Sequence, residues 1–206
     1  MLRSKPVQQW SRTLHIYVSM SLLLVVLFFA VTGITLNRPD WFVGEPQRVD
    51  SELSLSPALL NPDALRKANG EAALIRALRE QGGLKGLASP LQIYSEVEDG
   101  ELVEGEVTLD FKGPGYDASV YIDLLNPVAE LSVTDYGTVA WLNDLHKGRN
   151  TGPAWHWFID LSALLMVLFV LTGVVLLVPK KRTLRTAMGW TLVGSGITVS
   201  LYLMSL

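Results

Sequence analysis

Leu14 to Leu36 is a run of 23 residues without a formal charge, and no other feature limits the fold as much. As a helix rising about 1.5 Å per residue it reaches about 35 Å, more than the hydrocarbon core of a bilayer. Two further runs are predominantly apolar. Residues 153–178 begin Pro-Ala-Trp-His-Trp-Phe-Ile-Asp and continue apolar to Leu-Thr-Gly-Val-Val-Leu-Leu-Val, and residues 187–206 are 20 uncharged residues. Lipid offers the backbone no hydrogen-bond partners, so such runs cross it as helices. Across all 206 residues, 49% are hydrophobic and 18% charged, with a mean hydropathy of +0.30. That is too apolar for an average soluble domain and too charged in its middle for a wholly membranous one. The expected class is a membrane protein with three transmembrane α-helices and a small α+β extracytoplasmic domain between helices 1 and 2.

Charge orients the spans. Arg3, Lys5 and Arg12 precede the first, and Lys180, Lys181, Arg182 and Arg185 follow the second. Short basic flanks stay in the cytoplasm. The reading is a cytoplasmic basic leader at 1–13, helix 1 at 14–36 and helix 2 at 153–178. A cytoplasmic basic turn at 179–186 then leads to helix 3 at 187–206, which leaves the C-terminus periplasmic. A cleaved signal is the rival for the first run, but its apolar core is longer than usual and no Ala-x-Ala follows. Residues 37–152 carry 19 acidic and 10 basic side chains. Such an acidic segment argues against nucleic-acid binding and faces out.

Between the first two spans, 37–136 reads as one small domain. Pro46, Pro57 and Pro62 suggest that 42–70 is an extended connection. A helix is expected over 62–81, broken by Gly70 and stopped by Gly82-Gly83, with Leu74, Ile75 and Leu78 on one face. From Leu91 to Leu124 apolar and polar residues alternate, as in about four half-buried antiparallel strands punctuated by Gly113-Pro114-Gly115 and Asn126-Pro127. The segment 137–152 reads as an interfacial helix and loop.

With no cysteine, disulfides, cysteine-bound metal and thiol catalysis are excluded. No His-Glu-x-x-His, Gly-x-Ser-x-Gly or phosphate loop appears either, which ranks hydrolase and nucleotide chemistry low. Ionisable groups at a membrane mouth are costly unless paired or liganded. That singles out His15, His146 and His156, with Asp160 one helical turn beyond His156. The residues alone leave two readings open: metal or cofactor ligands, or interfacial polar side chains, with Asp160 pairing with Arg149 or capping a helix. The tryptophans fall at the predicted interfaces, as in an aromatic belt. The spans also share a motif, His15-x16-Thr32-Gly33 and His156-x15-Thr172-Gly173, which reads as a weak inverted repeat or as chance likeness between leucine-rich helices.

A leading histidine helix, an acidic α+β segment, then Leu145-His146-x-Gly148-Arg149 before a helix ending in Thr-Gly resembles the PepSY-associated transmembrane proteins. The resemblance covers most of the chain, and it implies that the outward side is the periplasmic side of a bacterial inner membrane. Larger members look like inner-membrane ferric-siderophore reductases that pass electrons through b-type haems. This chain is shorter, with three spans instead of four or more. The resemblance implies haem b, one or two, with His15, His146 and His156 as axial ligands and His146/His156 holding one iron. Asp160 would orient His156, and Arg149, Lys147 and Arg12 would face haem propionates. For His15 the open partners are the same residue of a second copy in a homodimer, Met188, or none. The implied function is electron transfer from a quinol or membrane partner to a ferric siderophore or iron chelate, an oxidoreductase activity. Two alternatives stand beside it: a non-enzymatic PepSY module that binds or regulates a partner protein, and a small subunit of a larger membrane complex.

Overall fold

The computed structural model describes residues 2–99 and 101–206; Met1 of the basic leader and Gly100 lie outside the described residues. The elements in order are α1 (Lys5–Asn37), a single-turn α2 (Pro39–Phe42), β1 (Gln47–Ser54), α3 (Pro62–Leu65) and α4 (Ala68–Gly82). Then come β2 (Leu87–Ala88), β3 (Gln92–Glu98), β4 (Glu101–Gly113), β5 (Tyr116–Asp123), β6 (Val128–Asp135), α5 (Gly137–Lys147), α6 (Pro153–Leu177) and α7 (Lys181–Met204). Helices α1, α6 and α7 are long and apolar enough to cross a membrane. With the separate antiparallel sheet they make a membrane protein carrying a small α+β region. The chain divides into two compact units: one runs up to Phe28 and resumes over Trp157–Leu206, the other is Phe29–His156.

In the first unit, α1 and α6 run antiparallel. Gln8 Nε2 donates to Val175 O at 2.9 Å, and seven residues along α1, His15 reaches Phe169 and Thr172. Ser11, Val18 and Leu22 are buried at intervals of seven and four, with half-buried His15 on the same stripe. No residue of α7 is buried.

In the second unit the sheet runs β1-β6-β5-β4-β2, with β3 also on β4, and every pairing is antiparallel. Alternation puts Val107, Leu109 and Phe111 of β4, Ala118, Val120 and Ile122 of β5, and Ala129 and Leu131 of β6 into one core. Leu74 and Leu78 of α4, one helical turn apart, pack into it from the helix side.

The connection expected over 42–70 contains a strand instead, β1. Its sequence, Gln-Arg-Val-Asp-Ser-Glu-Leu-Ser, hides it because nearly every side chain is exposed. Together with the two-residue β2 this raises the strand count from about four to six. Gly70 also does not break the helix. The break falls at Arg66–Lys67 between α3 and α4, and Gly70 lies inside α4, where a Cβ would sit 2.1 Å from Ala64 O. Close backbone approach, not helix ending, is what that glycine permits. Gly83, at φ +67°, closes α4 in the left-handed conformation.

Candidate functional site

Two histidines are seated in matching sockets, one in each unit. The receiving sequence is Phe-x-x-Thr-Gly, which occurs as Phe29-Ala30-Val31-Thr32-Gly33 near the end of α1 and Phe169-Val170-Leu171-Thr172-Gly173 in α6. Helical spacing brings Phe and Thr, three apart, onto one face. The glycine after the threonine lies against the imidazole, closely at Gly173 and at ordinary contact distance at Gly33.

In the first socket His15 stacks on Phe169, ring centroids 4.5 Å apart and 14° from parallel. Its Nδ1 lies 3.1 Å from Thr172 Oγ1 and 3.2 Å from Phe169 O. A Cβ on Gly173 would come within 3.3 Å of His15 Cε1. The Thr172 hydroxyl has one proton, and it faces the carbonyls of Leu168 and Phe169 at 2.9 and 2.8 Å. A carbonyl can only accept, so Nδ1 of His15 carries the ring proton and donates it. In a neutral ring Nε2 is then the lone-pair nitrogen. Imidazoles that bind metal have this arrangement, one ring N–H held by an oxygen and the other nitrogen basic.

The second socket repeats it with His146 of α5. Nδ1 is 2.6 Å from Thr32 Oγ1, the ring meets Phe29 edge-on at 4.9 Å, and the Gly33 Cβ position is 3.9 Å from Cε1. Thr32 is buried, and its hydroxyl also faces Phe29 O at 3.4 Å. Burial, and secondarily the Lys147 charge, hold the His146 imidazole below its ordinary pKa, favouring the neutral ring.

Helix α5 is fixed for this task at several points. Its buried Asn143 accepts a hydrogen bond from Thr35, so Asn143/His146 meet Thr32/Thr35 as two pairs spaced by three residues. Asp144 accepts from Gly115 N at 2.9 Å and pairs with Lys147 at 3.6 Å. Gly115, at φ +61°, allows the close approach: a Cβ there would meet the Trp141 backbone at 2.8 Å. Gly148 ends α5 at φ +67°, and Trp155 Nε1 donates to Leu145 O at 2.8 Å.

The remaining sequence candidates lie outside the sockets. His156 and Asp160 are exposed near the start of α6. Arg12 and Arg149 are exposed and form no ion pair among the described residues. The histidine that meets Thr32-Gly33 is His146, and His15 meets Thr172-Gly173 on the other helix, so the paired motif noticed in the spans is a set of receivers whose histidines come from elsewhere. Phe29, Phe169, Thr35 and Asn143 escaped the sequence reading; the five-residue Phe-x-x-Thr-Gly repeat was the available signal. Among the described residues no three His, Asp or Glu converge as a metal-binding group.

A comparison with family models finds the PepSY_TM-like family, which matches residues 9–206. No curated protein and no solved structure matches the chain.

Proposed function

We propose, from the premise that the chain belongs to the PepSY_TM-like family, that it is an inner-membrane electron-transfer protein binding haem b and reducing ferric iron or its chelates on the periplasmic side. The observation that carries this reading is the fixed tautomer of His15, whose Nδ1–H is held by Thr172 Oγ1 and Phe169 O. His146 on Thr32 is its counterpart. Fit rests on donor chemistry: neutral imidazole with a basic Nε2 is a strong iron ligand, and a threonine or carbonyl oxygen on Nδ1 raises its basicity. Haem, when bound, would supply a one-electron carrier.

The residues of the chain hold and orient. Thr172 and Thr32 keep each ring from rotating, Phe169 and Phe29 fix its plane, and Gly173 and Gly33 let it lie against the helix. In this reading exposed His156 would hold the group together with His146, with Asp160 orienting it, and the His15 of a second copy would do so together with His15. Arg149 and Arg12, which have no ion pair among the described residues, would neutralise propionates.

The test is the absorbance spectrum of detergent-purified protein, oxidised and dithionite-reduced, with the haem-to-chain ratio. A sharp reduced α-band, lost in part in His15→Ala and in His146→Ala, supports the reading. A colourless protein from haem-replete cells overturns it and leaves the chain a PepSY module that binds a partner protein.

A further inference from the structure

The two ends of the sheet are guarded unequally. At one end β3 carries a bulge between Glu96 and Val97, and β2 is two residues long. Bulges and short strands keep a sheet edge from pairing with another chain. At the other end β1 is eight residues long and pairs with β6 without a register shift, from Gln47↔Asp135 to Ser54↔Val128. It contains no proline and no lysine, its side chains are exposed on both faces apart from Leu53, and Val49 is 63% exposed. An edge so regular is a template for another strand.

Which backbone groups it offers follows from one bond. Leu55 N–H donates to Pro127 O at 2.8 Å, continuing the β1–β6 register. Successive residues of a strand aim their N–H and C=O to opposite edges. The odd-numbered residues of β1 therefore bond to β6, and Arg48, Asp50, Glu52 and Ser54 aim theirs outward. A second β1 running antiparallel must join these outward residues to each other, which leaves only registers that differ by two. Centring on Arg48 or Glu52 sets a like pair on the axis, and centring on Ser51 sets Asp50 against Glu52 twice. Centring on Leu53 sets no charges across, and centring on Asp50 gains two Arg48–Glu52 pairs but sets Asp50 against Asp50 on the axis. Centring on Val49 sets Arg48 opposite Asp50 of the second copy, twice, with Val49 against Val49 on the axis. Opposite charges directly across strands stabilise, and like charges destabilise. Arg48 and Asp50 already pair within the strand at 3.0 Å, so the join would create a network of four charges.

We infer that β1 is a homodimerisation edge, pairing antiparallel with β1 of a second copy about a two-fold axis through Val49. The inference stands on the sheet alone and does not depend on haem.

The experiment is single-cysteine cross-linking of the full chain in native membranes, which is direct because the chain has no cysteine. Facing positions of a non-hydrogen-bonded antiparallel pair lie within disulfide reach. Val49→Cys should give a disulfide-linked species at twice the 22.7 kDa chain mass, and Ser51→Cys should stay monomeric. In the Val49→Cys background, Arg48→Asp should abolish the cross-link and Arg48→Asp with Asp50→Arg should restore it. Thermal unfolding of each variant confirms that the sheet is intact. A folded Val49→Cys variant that stays monomeric overturns the inference. So does cross-linking to a different polypeptide, which would make the edge a site for an extended segment of another protein. Because haem content is read separately, a colourless dimer would sink the electron-transfer reading alone.

Discussion

Nδ1 of His146 sits 2.6 Å from Thr32 Oγ1, and this bond joins a helix that follows the sheet to the end of α1, across 114 residues of chain. Its counterpart joins His15 to Thr172 across 157 residues. In both, a polar contact that would be costly to leave half-made ties together residues far apart in sequence.

Thr32→Val keeps the shape and removes the oxygen that Nδ1 of His146 needs. The loss should be about 1–3 kcal/mol, the range for an unsatisfied buried polar group, while Thr32→Ser should recover most of it. Thermal unfolding in detergent reads the difference. Equal melting of both variants would show that the hydroxyl contributes nothing.

Glycine replacements should separate the sockets. Alanine at Gly173 puts a methyl 3.3 Å from His15 Cε1, so the imidazole must shift, whereas alanine at Gly33 meets His146 at 3.9 Å, an ordinary contact. Gly173→Ala should therefore broaden or deplete the absorbance of any haem held through His15, and Gly33→Ala should leave spectrum and stability unchanged. The reverse order would refute the geometry.

Gly115→Ala should destabilise the sheet unit strongly. The residue must hold φ +61°, which costs a non-glycine residue about 1–2 kcal/mol, and its methyl would meet the Trp141 backbone at 2.8 Å. Denaturant unfolding should show a lowered midpoint, and Gly113→Ala, with no contact under 3.6 Å, a smaller change.

Asp50 titrates low because Ser132 hydrogen-bonds to its carboxylate, and next because Arg48 pairs with it. A carboxyl with a depressed folded pKa binds fewer protons folded than unfolded, so its contribution is present above the ordinary value of 3.8 and lost as pH falls below it. Being fully exposed, it should contribute little to stability. Wild type and Asp50→Asn should melt with the same pH dependence above pH 5 and converge only in stronger acid. A difference centred near neutrality would assign the effect to another group.

Much of the architecture is readable from residue order. Apolar runs long enough to span a bilayer need no tertiary information, because length and hydropathy decide. The alternation of Val107, Leu109 and Phe111 with polar neighbours marks a half-buried strand by itself. The edge strand β1 is not readable this way, because a strand exposed on both faces has no apolar period to display.

The candidate site divides at the same line. Residue types placed His15 and His146 among the few groups able to hold a ligand, and spacing drew attention to the two Thr-Gly pairs. Which histidine enters which pair depends on contacts between helices far apart in sequence, and a helix repeat carries no information about the partner facing it. Only the packed structure brings His146 to Thr32-Gly33 and His15 to Thr172-Gly173, and in the latter the oxygens of Thr172 and Phe169 fix which ring nitrogen donates.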